Sequence, residues 1–123
     1  MSRIDITARK KNTGEWLISQ GFCRSPHVTT FCEQSQNAKL QDFAYLLYMG
    51  ITLSQENIQG FLQQVEYVIQ FLTTMERTKR STYFSSYDET SYQQFIEDLS
   101  NGRDVLQSLS QEKDLNTLKV DVM

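Results

Sequence analysis

Residues 54–80 read SQENIQGFLQQVEYVIQFLTTMERTKR, and the spacing of their apolar side chains decides the fold that the sequence predicts. Ile58, Phe61, Leu62, Val65, Val68, Ile69, Leu72 and Met75 recur at steps of three and four, which places them in one stripe along a helix. Ser54 is suited to cap that helix by accepting from the Asn57 N–H, while Leu53 staples against Ile58. No proline interrupts the run, and Gly60 is its one weak position, costing about 1 kcal/mol against alanine. A helix over 54–79 would be about 39 Å long at 1.5 Å per residue, as long as a compact domain of this size is wide. Part of the stripe is therefore expected to project beyond the core. Phe61, Leu62, Val65, Val68, Ile69, Leu72 and Met75 are the predicted partner-binding residues, wherever they are exposed.

Downstream, residues 81–87 are polar with aromatics and read as a short loop. Asp88 or Thr90 then caps a helix over about 88–110, on which Tyr92, Phe95, Ile96, Leu99, Leu106 and Leu109 keep helical spacing. Asn101-Gly102 is expected to kink or divide it. The loop is short enough to make the two helices an antiparallel hairpin. Arg77, Lys79 and Arg80, ahead of Tyr83, Phe84 and Tyr87, suit the last turn of the first helix, where positive charge offsets unpaired carbonyls. Apolar content thins after Gln111, so 111–123 is expected to be a mobile tail.

Upstream, residues 37–49 place Leu40, Phe43, Ala44, Leu47 and Tyr48 on one helical face, and Gly50 supplies a stop. Residues 51–53 form an extended link. Ser25-Pro26 can open a turn or two of helix towards Glu33, because the proline lacks only an N–H that a first turn leaves unpaired. Asn12-Thr13-Gly14 and Gly21 bracket a short predicted helix over 13–20. Ile4, Ile6 and Ala8 alternate with polar residues, which suits a short strand or a mobile arm over 1–12. The predicted fold is all-α: one domain over 1–123, a small bundle of about four to five helices around the long central hairpin.

With 123 residues, a second independent core would leave two halves too small to be stable alone. The two cysteines, Cys23 and Cys32, read as buried thiols in a reducing compartment. No signal-peptide pattern occurs, the longest apolar runs fall short of the ~20 residues of a membrane span, and the expected location is cytoplasmic. The net charge of −3 is unevenly spread: residues 1–39 carry six basic and three acidic side chains, the remainder six and twelve. Such a split suits a chain that meets a polyanion at one end and a protein at the other.

The only histidine lies between the cysteines, as Cys23-x3-His27-x4-Cys32 beside Glu33. These are zinc donor types, but the spacing matches no paired Cys-x-x-Cys knuckle, and no metal or cofactor is expected. Cys–His catalysis would need both groups on one helix, which Gly21 and Pro26 oppose. No nucleophile elbow, glycine-rich phosphate loop or His-Glu-x-x-His motif occurs, so neither an enzyme nor a small-molecule substrate is expected.

Residues 13–33 loosely resemble a helix-turn-helix, with Gly21 at the turn and a polar second helix. Leu17 stands where that motif wants a small residue, and Val28 is one position out of register. The resemblance implies a DNA- or RNA-binding surface built from Arg9, Lys10, Lys11, Arg24, His27 and Thr29, with dimerisation through the C-terminal hairpin. The reading set ahead of it is a non-enzymatic protein-interaction module, an adaptor, inhibitor, chaperone or oligomerisation subunit. Its thirteen glutamines make polar helix faces that are easier to desolvate than charged ones, and its partner is another protein or a second copy.

Overall fold

A computed structural model describes residues 3–123, and the chain is not all-α. Five helices pack on a four-stranded antiparallel sheet, so the fold is mixed α and β. The strands are β1 (Arg3–Lys10), β2 (Trp16–Arg24), β3 (Ile51–Leu53) and β4 (Leu118–Val122). The helices are α1 (Ser25–Val28), α2 (Ala38–Met49), α3 (Ile58–Thr74), α4 (Arg77–Tyr83) and α5 (Glu89–Ser110); α1 runs directly into a π-helical turn, Thr29–Glu33. Among the described residues no helix is long and apolar enough to cross a membrane.

The sheet order is β2-β1-β4-β3, which puts the two ends of the described chain side by side in its middle. The segment 111–123, expected to be a tail, contains a central strand. Ile6 faces Val122 and Ala8 faces Val120, and the Asp5 and Met123 backbones exchange N–H···O bonds of 2.8 and 3.0 Å. The alternation of Ile4, Ile6 and Ala8 is thus a strand and not an arm; residues 1 and 2 of that predicted arm lie outside the described residues. Ile4, Ile6, Ala8, Val120, Val122 and Leu53 all face the helices and are buried. Their neighbours in sequence line the opposite face and are exposed or half-buried, so among the described residues that face is open.

The helix predicted over 13–20 is also corrected. Asn12-Thr13-Gly14 is the turn of the β1–β2 hairpin, with Gly14 at φ 75°, a conformation glycine adopts without penalty. Lys10 donates to the Glu15 carbonyl at 2.9 Å and Gly14 to the Lys10 carbonyl at 2.8 Å. The helix-turn-helix reading falls with it, since its first helix is β2.

The long helix over 54–79 is two helices. Residues 54–57 form a turn, in which the Asn57 side chain accepts from the Ser54 N–H at 2.7 Å and donates to the Thr52 carbonyl at 3.0 Å. The N-cap residue is therefore Asn57 and not Ser54, and its side chain ties the turn back to β3 without capping the helix. At the far end Met75 and Glu76 turn extended, at ψ 127° and 134°. Carbonyls freed there are taken by side chains: Tyr92 Oη donates to Leu72 at 2.6 Å, and Arg80 Nε to Met75 at 3.2 Å. Arg80 is itself nearly buried, stacked 4.4 Å from the Tyr92 ring and paired with Glu89 at 3.2 Å. The break keeps α3 to about 26 Å, a length the core can cover, so the projecting overhang does not exist.

Helix α2 ends at Gly50, at φ 79°, and begins at Asn37, whose side chain accepts from the Lys39 and Leu40 N–H groups. Helix α5 is capped by Asp88, which accepts from Ser91 at 2.9 Å, and it runs unbroken through Asn101-Gly102. A Cβ on Gly102 would overlap the Phe22 ring. The glycine is there for close approach of strand to helix, not to break the helix.

Candidate interaction surface

The stripe on α3 does not form a surface. Phe61, Leu62, Val65, Val68 and Leu72 are buried, and α3 lies along α5, whose apolar face is buried as well. Ile69 and Met75 are half-buried against the same core. Of the seven residues, none is fully exposed. The hairpin of α3 and α5 likewise spends its apolar faces inside the monomer.

The six residues marked for nucleic acid are dispersed. Arg9 lies on the open sheet face with its guanidinium 5.4 Å from the centre of the Trp16 ring. Lys10 pairs with Glu15 at 3.2 Å, and Lys11 is exposed in the hairpin turn. Arg24 closes the other end of β2, about 26 Å away at ~3.3 Å per residue. Thr29 in the π-helical turn is bonded to Tyr48 Oη at 2.6 Å and to the Ser25 carbonyl at 3.2 Å, so its hydroxyl is committed to the fold.

His27 sits half-buried beside the rings of Phe31 and Phe95, and its Nδ1 is buried without a hydrogen-bond partner. Desolvation holds its pKa below the ordinary 6.5, with Arg24 adding to the effect and Asp98 and Asp88 opposing it. Cys23 and Cys32 are free, buried thiols, and burial pushes both well up from the ordinary range. Among the described residues no group of His, Cys, Asp and Glu could hold a metal ion.

The feature that sequence spacing missed is the outer edge of β2. It is one of two sheet edges, nine residues long against three for β3 at the other. From Trp16 to Cys23 it carries neither charge nor proline, and Trp16, Leu17, Ser19, Gln20 and Gly21 are exposed. Trp16 and Leu17 expose 58% and 46% of their surface, values that set them apart from the aromatics and leucines of the core. An edge strand presents a row of unpaired N–H and C=O groups, and soluble proteins ordinarily guard it with lysine, proline or a covering element. Here the device present is the β-bulge: pairing with β1 skips Phe22 between Gly21 and Cys23, and Leu17 between Trp16 and Ile18. Residues 18–21 between the bulges are regular strand.

Tyr45, Tyr48 and Met49 of α2 are also exposed, as is Met123, which lies beside Gly50. Tyr48 donates to Glu33 Oε1 at 2.9 Å, which fixes its ring against the π-helical turn. No protein-family model, curated protein or solved structure matches the chain.

Proposed function

We propose that this chain is a non-enzymatic protein-interaction module that receives an extended strand along the outer edge of β2. The observation that carries the reading is the uncharged, proline-free run 16–23 at a sheet edge, with Trp16 and Leu17 exposed. Strand addition draws affinity from main-chain hydrogen bonds and specificity from alternate side chains, and both are on offer there. Trp16 is the natural anchor, because a rigid aromatic gains large contact area at little entropic cost.

The test is capture of partners from the native source on wild-type chain and on a Trp16→Ala/Leu17→Lys variant, both verified as folded by circular dichroism. A partner held through this edge loses tenfold or more in affinity on the variant, as expected for removal of an aromatic hot spot. Undiminished capture would overturn the reading.

A second reading rests on the open sheet face, where Trp16, Arg9 and Lys119 stand in register across β2, β1 and β4. Base stacking on Trp16 with phosphates at Arg9 and Lys119 is the chemistry of single-stranded nucleic-acid binding. Titration of a labelled single strand at low salt, repeated with Arg9→Ala, decides it: binding that weakens steeply with salt supports this reading, and none at all ends it.

A further inference from the structure

Given the edge reading above, on which this rests, we infer that the strand received by β2 is β2 of a second copy, in an antiparallel pair that joins two sheets into one of eight strands. Charge favours this pairing. The uncharged run 16–23 is flanked by Glu15 at one end and Arg24 at the other. Antiparallel self-pairing brings the acidic end of each copy's run to the basic end of the other's, twice over, whereas parallel pairing brings like ends together. Glu15 and Arg24 are both exposed, and Arg24 makes no ion pair among the described residues.

Register favours it too. Opposed residues of an antiparallel pair share a sheet face, so a two-fold axis perpendicular to the sheet must bring one residue opposite its own copy. Gln20 suits that position. It lies in the regular stretch between the bulges, is exposed, and its amide is both donor and acceptor, so two copies satisfy each other. With Gln20 on the axis, Ser19 meets Gly21 of the second copy, and Trp16 meets its Arg24. Trp16 and Arg24 both stand on the open face, opposite Arg9 and Arg3 of β1, so the pair is sterically consistent. The Trp16 ring would then take a cation from Arg9 in its own chain and one from Arg24 of the second copy. The bulges at Leu17 and Phe22 fall on either side of the axis in each copy, leaving the central stretch flat enough to pair.

Sedimentation of the full chain over a concentration series should show a dimer with a dissociation constant on the order of micromolar. Arg24→Glu should weaken it about tenfold or more, and Glu15→Arg/Arg24→Glu should restore it, with urea midpoints confirming that each monomer is folded. Gln20→Cys should oxidise to a covalent dimer at dilutions where the control Gln63→Cys, on the exposed face of α3, does not. The buried Cys23 and Cys32 leave the background low. A chain that stays monomeric at about 0.5 mM, or a Gln20→Cys variant that oxidises no faster than the control, overturns self-pairing. If that chain still captures a partner dependent on Trp16 and Leu17, self-pairing has failed and the edge reading stands. If capture is also indifferent to Trp16 and Leu17, both have failed.

Discussion

The same substitution, glycine to alanine, should act with opposite sign at two helical positions of this protein. At Gly60 in α3 an added methyl meets nothing within 4 Å. The exchange removes backbone freedom from the unfolded chain and gains helix propensity, for a stabilisation of about 1 kcal/mol. At Gly102 in α5 the propensity gain is equal, because the backbone is ordinary right-handed helix. The methyl, however, overlaps the ring of Phe22 and stands 3.3 Å from Ile6 Cδ1. Phe22 is 2% exposed and Ile6 wholly buried, so neither can swing into solvent. Carbon atoms need about 3.5–4.0 Å, so α5 must lift from β2 or Phe22 must leave its rotamer. Overpacking of this kind costs about 3 kcal/mol at the upper end of its usual range. Subtracting the propensity gain leaves a net loss of about 2 kcal/mol. In urea, with a slope of about 2 kcal/mol per molar, Gly102→Ala should unfold about 1 M earlier and Gly60→Ala about 0.5 M later than wild type. Far-UV circular dichroism reads both. A Gly102→Ala midpoint at or above wild type would refute the close-approach argument, and Phe22→Leu should recover part of the loss in the double variant.

Two further perturbations follow from buried polar groups. Desolvation lowers the pKa of His27, so just below the ordinary 6.5 the unfolded state binds more protons than the folded one, and stability falls as pH drops from 7 through that window. Asp88 and Glu89, whose carboxyls are lowered chiefly by hydrogen bonds from Ser91 and Gln93, lose their contribution only in the more acid range. Urea midpoints at pH 7 and 5.5 should therefore diverge in wild type and converge in His27→Phe; an identical decline in both would dispose of the assignment. Tyr92→Phe removes the donor to the Leu72 carbonyl, leaving a buried acceptor unpaired at a cost of about 1–3 kcal/mol. The same hydroxyl is pushed up to about 12 by burial, so absorbance titration of the native protein should show a high-pH phenol ionisation that Tyr92→Phe lacks.

How much of this was legible depended on whether local chemistry and tertiary packing agreed. Helix α2 and helix α5 follow from apolar spacing plus a side-chain cap, Asn37 and Asp88, and both lie where the spacing put them. Strand β2 was hidden by its own bulges: skipping Leu17 and Phe22 breaks the alternation that marks a strand, and what remains, Trp-Leu-Ile after a glycine turn, suits a helix equally. Strand β4 was not hidden. Leu118, Val120 and Val122 alternate with Lys119 and Asp121, and only a five-residue length and a polar approach disguised it. The break after α3 has no proline or glycine to announce it; it is held by Arg80, five residues from the Met75 carbonyl, and by Tyr92, 20 residues from that of Leu72. The interaction surface inherited these errors. The apolar stripe of α3 is legible as a stripe, but its partner is α5 in the same molecule, while the helical spacing of Trp16 and Leu17 conceals that they lie at a sheet edge.

The placement of β4 between β1 and β3 has a consequence for how the molecule is made. As the chain leaves the ribosome, β1 and β2 can pair at once through their tight turn, yet the other side of β1 stays open until every helix has been synthesised. For that interval the hairpin has two exposed flanks. Closing so distant a pairing is slow, on the order of milliseconds to seconds for sheet-dominated contacts. Nascent chains would be vulnerable to adhering to one another during that time, and β4 is the strand that closes the open side of β1.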